Sequence, residues 1–476
     1  MNILLIYPPH NLEILSPFNF EPLALEILAS TVPEHAVKIF DLRFDTFDQL
    51  NYLLSTFQPR VVGITVNNTI HVNQAKKILK YIKRGRSDVK NIVGGHHPTL
   101  RPSDFFKQYI DAIFLGCSER NFPQYISWLQ SNKNNETIES VIRLKKGIPI
   151  NQYNWEPATI EPEEIPVPNR NLTRKYSEHY RNELGCKTVL VNTARGCPYR
   201  CTFCACWKVT GGKHVVRSAE DVFKELIKVP DDIDFVFFAD DNTFFDIERA
   251  EKLCYLIKKQ DIRKKYSGYC RTDTIVKYPQ LFDNWKEIGL DKLTIGFETT
   301  KEETLKRFKK SNSLEINREA IHILNDLEIQ FSPYFLIEPE FKEDDFKEIF
   351  AFVEEYNLIR PMFTILTPLP GTALYEEMKE KINLDFDYFD FMHWVYPPRM
   401  NAKKFYGHFV KLYNESYSYK RYFKTVFRKH VSWFKKNIYN KWESKHIPLI
   451  ELILLRILVI PLRRKLYRQY FNIKKI

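Results

Sequence analysis

At 476 residues the chain is too long for a single core, and at about 150 residues per domain it divides into two large units and a tail. Hydrophobic residues at 44% and aromatics at 14%, with no low-complexity tract, exclude a disordered protein. The formal net charge of +12 does not mark a nucleic-acid binder, because it is local: residues 401–476 hold 19 Lys+Arg against 3 Asp+Glu, leaving 52 against 56 in the first 400.

The opening "MNILLIYPP" has neither a basic n-region nor a small-residue cleavage site, so it reads as a buried strand and not as a signal peptide. A cytoplasmic location is expected. Reducing conditions there argue against disulfides and leave clustered cysteines for metal or redox chemistry. Residues 1–135 then alternate strand and helix patterns: "NILLIY", "AVKIFDL", "RVVGITV", "NIVGG" and "DAIFLG" as strands, with "PLALEILASTV", "FDQLNYLLSTF", "NQAKKILKYIKR" and "FPQYISWLQ" as helices. Apolar strands separated by amphipathic helices imply a Rossmann-like, doubly wound parallel sheet, which binds ligands at the carboxyl ends of its strands. Those ends are Tyr7–His10, Thr65–Asn68, Gly94–Thr99 and Gly116–Glu119. In "VGGHHPT", Gly94 and Gly95 let the backbone approach a bulky ligand, although paired glycines also make tight turns.

Residues 136–185 are polar and Pro-rich and read as a linker. A second series over 186–385 offers six strand candidates: "KTVLVNTARG", "DFVFFADDNTF", "YSGYCRTDTI", "KLTIGFET", "IQFSPYFLIEPE" and "MFTILTPLPGT". That is too few for a full eight-unit barrel and implies a partial (β/α)6 barrel with its site at the strand carboxyl ends. Residues 386–476 read as a helical, basic tail.

After the first strand of the second series comes "TARGCPYRCTFCACW", which holds four of the eight cysteines. Cys197, Cys201 and Cys204 have the spacing CxxxCxxC. Three thiolates can hold three irons of a [4Fe–4S] cluster and leave the fourth iron open. A structural zinc site wants four ligands, usually as two separated pairs, and Cys206 is cramped as a fourth ligand. Cys117, Cys186, Cys254 and Cys270 are scattered and read as ordinary buried thiols.

The segment resembles the radical S-adenosylmethionine motif, with Phe203 as its aromatic residue. The resemblance implies that the open iron chelates S-adenosylmethionine and that an electron from the cluster cleaves it to methionine and a 5′-deoxyadenosyl radical. It also implies S-adenosylmethionine contacts at Ala239, Asp240 and Asp241, where the usual Gly-Gly-Glu is replaced, and at Arg271 and Glu298.

A parallel sheet carrying "VGGHHPT" ahead of such a barrel resembles the cobalamin-dependent class of that superfamily. Gly94 and Gly95 then match the element beside the cobalamin nucleotide tail, and Thr65 the shorter loop before it. The DxHxxG motif that ligates cobalt in many cobalamin domains is absent, since His10 has Pro8 two residues before it and Glu13 three after.

In the tail, Phe423, Phe427, Val431 and Phe434 fall on one helical face among Lys and Arg, the pattern of a helix in a membrane interface. The apolar run Ile447–Leu462 contains Glu451 and Arg456, is bracketed by Pro448 and Pro461, and is short for a span. It could dip into one leaflet with Arg463, Arg464 and Lys465 on anionic headgroups. A helical cap packed on the barrel is the alternative. No recognition fold accompanies the charge, so nucleic acid is not an expected partner.

In order and wording, "CACWKVTGGKHVVRS", "FFADDNTFFDIERA", "YCRTDTIVKYPQLFDNWKEIGLDKLTIGFE" and "PMFTILTPLPGTALYEE" are similar to the hopanoid C-3 methylase family. That resemblance implies a cobalamin-dependent radical methyltransferase acting on a hopanoid-like lipid. It further implies an electron donor such as flavodoxin or ferredoxin, while the tail's own pattern leads to the expectation of a peripheral place on the inner face of the membrane. Cyclases and oxidative modifiers of lipids or tetrapyrroles share these domains, and a non-catalytic, metal-holding membrane adaptor is the reading from another class.

Overall fold

The computed structural model describes residues 1–9, 19–131, 137–151, 156–182, 185–382, 385–418 and 421. His10, Glu13 and the tail beyond 421 lie outside them, and so do the interfacial helix and the apolar run expected there. Among the described residues no helix is long and apolar enough to cross a membrane.

The first sheet has seven strands in the order β2-β1-β3-β4-β5-β6-β7. Strands β1 (Asn2–Tyr7), β2 (Ala36–Asp41), β3 (Val61–Thr65), β4 (Lys90–Gly94) and β5 (Ala112–Phe114) pair in parallel. Strands β6 (Val141–Lys145) and β7 (Ile148–Pro149) add an antiparallel edge. Ile3 to Ile6 are almost wholly buried along their length, because helices cover both faces and no position of the strand faces water. The helix Phe47–Phe57 starts at Thr46, whose hydroxyl accepts from the Gln49 N–H while the Gln49 side chain accepts from the Thr46 N–H. The helix Val72–Gly85 buries Val72, Ala75, Ile78, Leu79 and Ile82, one face at helical spacing, and turns Lys77 and Lys80 outward. Strand order reverses between β1 and β3, which opens a crevice at the carboxyl ends.

Residues 136–185 do more than link. They supply β6 and β7 to the first sheet and then three 3-10 turns, ending with Arg174–His179, where Tyr176 is buried. Arg170 is the keystone of the join between the units. Its guanidinium donates to Glu21 at 3.0 Å, to Glu225 at 2.8 Å and to the Leu190 carbonyl at 2.5 Å. Arg217 reaches the other Glu225 oxygen and the Asn192 carbonyl, both at 2.7 Å. Burying three carboxylates (Glu21, Glu26 and Glu225) is costly unless cations accompany them. Glu26 makes no ion pair among the described residues: one oxygen accepts from the Thr173 hydroxyl, the other has no hydrogen-bond partner there, and burial holds its carboxyl well above the ordinary range.

The second sheet has six parallel strands in chain order: β8 (Thr188–Val191), β11 (Phe235–Phe238), β12 (Lys265–Cys270), β13 (Leu290–Glu298), β14 (Gln330–Ile337) and β15 (Met362–Ile365). Between β8 and β11 a small antiparallel pair, β9 (Ala194–Arg195) and β10 (Val215–Val216), stands apart from it. Along β13, Leu293, Ile295 and Phe297 are buried against helices, whereas Lys292, Thr294 and Gly296 alternate onto the concave side. The fully buried Trp285 donates its indole N–H to the Ala250 carbonyl at 3.1 Å. The helix Ala402–Ser416 belongs to this core: Phe405 and Phe409 are buried in it, and the Tyr413 hydroxyl donates to the Phe363 carbonyl at 2.5 Å. The first part of the basic tail therefore packs on the barrel as a cap.

Candidate active site

Strand β8 delivers the chain to β9, and the β9/β10 pair closes the base of the loop that carries the cysteines. Gly196 makes the turn into that loop. Its φ is +77°, and a Cβ there would lie 2.3 Å from the Lys213 carbonyl oxygen and 2.3 Å from the Thr210 hydroxyl, so only glycine fits. The loop is then fastened to the far side of the barrel. The Thr202 N–H donates to the Phe308 carbonyl at 3.0 Å, and the Thr202 carbonyl accepts from the Leu374 N–H at 3.1 Å. Arg200 spans the loop from outside, donating to the Cys197, Pro198 and Tyr199 carbonyls and, at 2.8 Å, to that of Gly212.

Cys197, Cys201 and Cys204 lie near enough for Cys201 and Cys204 to act electrostatically on Cys197, and Cys204 on Cys201. Burial pushes the Cys197 thiol up to about 11 and raises that of Cys201. The Lys310 and Arg271 cations work in the opposite sense on Cys201. Cys204 is held below the ordinary thiol value, chiefly by a hydrogen bond from Cys206.

Arg271 lies with its guanidinium 3.6 Å from the centre of the Tyr199 ring, donates to both Asp273 oxygens and reaches the Lys310 carbonyl at 2.6 Å. It braces the cysteine loop. Glu298 sits at a register shift at the end of β13 with φ +68°, and one of its oxygens accepts from Lys310 Nζ at 2.5 Å. That left-handed conformation in a non-glycine residue is a local cost held in place by the surrounding fold. Gly296 makes room, since a Cβ there would stand 2.2 Å from the Glu298 carboxylate. Phe203 packs edge-on against Phe308, ring centres 5.1 Å apart, in an apolar cluster with Leu366 and Leu374. Lys310 had no sequence signal of its own, since the run "KRFKK" reads as solvated charge.

Of the three adjacent residues at the end of β11, two face a cavity and one does not. Asp240 is turned inward: it accepts from the Thr193 N–H at 2.6 Å, the Ala194 N–H at 2.8 Å and the Thr193 hydroxyl at 2.5 Å. Its carboxylate is spent on the exit of β8, against the expectation of a cofactor contact. Ala239 and Asp241 line the cavity.

This cavity, about 590 Å³, lies between the two units. From the first sheet it takes Tyr7, Thr65, Asn67, Gly94, Gly95, His96 and the stretch Gly116–Glu119, all at strand carboxyl ends, and from the barrel Arg195, Gly196, Cys206, Ala239, Asp241 and Tyr269. Gly95 has φ +111°, and a Cβ would come within 2.7 Å of the Asn67 side chain, so the close approach there is to the neighbouring loop. Gly94 meets only ordinary contacts. His96 lies deep in the molecule yet is open to the cavity, and burial holds its ring below the usual histidine value. Glu119 and Arg195 form an ion pair at 2.5 Å across the cavity wall. Phe20 stacks on Phe237, centres 5.3 Å apart, where the first unit meets the barrel mouth.

The donor set fits an iron–sulfur cluster. Among the described residues no group of three His, Cys, Asp or Glu side chains could hold a single metal ion. Three thiols on a CxxxCxxC loop suit a larger body whose own sulfides complete the coordination. The cavity fits a large organic cofactor, since its walls are strand ends and glycine-bearing loops at a topological switch point.

Two family models match the chain: the B12 binding domain over residues 14–126 and the Radical SAM superfamily over residues 191–353. A hopanoid C-3 methylase of Methylococcus capsulatus is 26% identical over 422 residues, 87% of this chain and 78% of the relative. A bacteriochlorophyllide d C-12(1)-methyltransferase of Chlorobaculum tepidum is 25% identical over 428 residues, 87% of each chain. Among solved structures, the cobalamin-dependent S-adenosylmethionine radical enzyme OxsB, with aqua-cobalamin and S-adenosylmethionine bound, superposes with a TM-score of 0.69 at 18% identity, covering 100% of this chain and 81% of that one.

Proposed function

We propose that the chain, with its B12 binding and Radical SAM superfamily matches, is a cobalamin-dependent radical S-adenosylmethionine methyltransferase that methylates an unactivated carbon of a polycyclic membrane lipid, a hopanoid at C-3. The observation that carries this reading is the single cavity in which strand ends of the first sheet meet Asp241 and Cys206 of the barrel. Groups held on either wall reach one substrate. The relation to the hopanoid C-3 methylase, extending over 87% of the chain, supports the substrate class.

In this reading Cys197, Cys201 and Cys204 hold the [4Fe–4S] cluster, with Lys310 and Arg271 offsetting its negative charge. Ala239, Asp241, Glu298 and Phe203 contact S-adenosylmethionine; Glu298 has one carboxylate oxygen beyond the one Lys310 engages. Asp240 acts at one remove, fixing the 192–194 backbone from which the cluster loop departs. Thr65, Gly94 and Gly95 border the cobalamin. When bound, these cofactors supply hydrogen abstraction from an unactivated carbon and a transferable methyl group, which polar chemistry cannot direct to a saturated ring. The protein positions the groups and keeps water out, with Phe20 on Phe237 narrowing the mouth of the barrel.

The basic, apolar stretch from Ile447 to Lys465 in the sequence supports a peripheral position on the inner face of the membrane. Removing residues 446–476 is expected to move the protein from the membrane pellet to the supernatant; an unchanged distribution counts against the anchor. Reconstituted protein given S-adenosylmethionine with a labelled methyl group should release 5′-deoxyadenosine and label the lipid. Release without labelling would point instead to a cyclase-type reaction.

A further inference from the structure

Strand register gathers five hydroxyls on the concave face of the second sheet. On β12, Tyr266 and Cys270 are buried against the helices, so Ser267 and Tyr269 point to the other side. Tyr269 is in register with Thr294 on β13, and Thr294 with Ser332 on β14; two residues on, Gly296 is in register with Tyr334. Phe335 and Ile337 take the helix side of β14 and leave Ser332 and Tyr334 on the concave side. Apolar groups border the row: Phe237, edge-on to Tyr269 with ring centres 5.5 Å apart, and Met362, in register with Tyr334.

None of the five hydroxyls makes a hydrogen bond with the described residues. Ser267 is wholly buried, and Tyr269, 42% exposed, lies deep in the molecule and opens on the cavity. Hydroxyls enclosed without partners are costly, and five on one face make a surface that a ligand completes. Burial pushes the Tyr269 phenol up to about 12 and raises that of Tyr334, so both keep the protons they would donate. Charge stands at the two ends of the row. Asp241 and Glu298 lie beyond it at the strand carboxyl ends, and Lys292, in register with Ser267, lies at the opposite end, where burial brings its ammonium down to about 7. Neutral donors among aromatic rings suit an uncharged oxygen on an otherwise apolar body.

We propose that this row, with Tyr269 and Tyr334 nearest the strand carboxyl ends, binds an oxygen-bearing group of the substrate, so that the protein selects an oxygenated polycyclic lipid over the bare hydrocarbon. The proposal rests on the hopanoid reading. A hydrocarbon in the same place would leave the hydroxyls unpaired, and a site built to hydrogen-bond a substrate oxygen discriminates against the analogue that lacks it.

The test is a competition in detergent micelles, using full-length protein with its cluster and cobalamin rebuilt, S-adenosylmethionine and dithionite. The probes are equal amounts of a hopanoid tertiary alcohol and of the alkene formed from it by loss of water. Mass spectrometry of the two methylated products gives the ratio of their kcat/KM values. The wild type should favour the alcohol by at least about 10-fold. Tyr269→Phe and Tyr334→Phe should each reduce that preference, and the double variant should bring it close to unity. The ratio is internal to each preparation, so a loss of folded protein does not move it. Equal methylation of both probes by the wild type, or an undiminished preference in the double variant, overturns the proposal. Methylation of neither probe by wild-type protein that releases 5′-deoxyadenosine overturns the hopanoid reading beneath it.

Discussion

Glu119 and Arg195 meet at 2.5 Å across the join between the two units. Glu119 leaves the end of β5 beside the cavity, and Arg195 lies two residues before Cys197. The pair therefore ties the wall of the first-sheet pocket to the base of the cysteine loop. Both side chains are largely buried, so removing one leaves the other charge without its partner. Glu119→Gln is expected to destabilise the protein by about 3 kcal/mol in chemical denaturation, with Glu119→Gln/Arg195→Met recovering part of the loss. Additive single and double variants would show that the pair is not coupled.

Gly196 is the tightest glycine in the cysteine loop. Gly196→Ala must push a Cβ into the Lys213 carbonyl, so the loop cannot close and bound iron should drop to near background. Gly407→Ala provides the contrast. It lies in the helix Ala402–Ser416 with nothing within 4 Å of its Cβ position, and should stabilise by about 0.5–1 kcal/mol. Iron content and melting temperature measured on both variants check the pair of expectations.

The sequence made the strands and the cysteine loop legible because each is written in local pattern. Both series of apolar runs and the CxxxCxxC spacing appear as the strands and the loop expected of them. What escaped depends on contacts between distant segments. Arg170 lies in a stretch that composition marks as a linker, and its role comes from Glu21 and Glu225 converging on it from opposite units. Asp240 and Asp241 are adjacent in sequence, yet one faces the backbone of residues 192–194 and the other the cavity, a distinction set by strand pleat and loop packing. The helix Ala402–Ser416 shares its basic composition with the tail, and only its burial of Phe405 and Phe409 assigns it to the barrel.

Glu26 makes stability depend on pH. Its carboxyl titrates above the value of an unfolded glutamate, because it is buried and one oxygen has no hydrogen-bond partner among the described residues. Between the two values the folded state binds more protons than the unfolded one. The stability Glu26 contributes is therefore full below the unfolded value and is lost as pH rises through the folded one. Glu26→Gln keeps an acceptor for the Thr173 hydroxyl and cannot ionise. The variant's melting temperature should fall less than the wild type's as pH is raised; parallel curves would contradict this.

Arg271 bonds Asp273 through two nitrogens while lying flat over Tyr199. Lysine reproduces neither the fork nor the stack. Arg271→Lys should cost about 1–2 kcal/mol and loosen the cysteine loop, read as faster loss of iron to a chelator at unchanged initial loading. Equal chelation rates would limit Arg271 to a role away from the loop.

The central claim is methyl transfer to a polycyclic lipid, and lipid mass spectrometry on a host that makes unmethylated hopanoids tests it most directly. With this protein expressed, a new hopanoid heavier by one CH₂ should appear, carry the label of fed methyl-labelled methionine, and fragment with the added mass on the A ring. It should be absent from the Cys201→Ala strain. No new species from protein that holds both an intact cluster and cobalamin would contradict the assigned substrate.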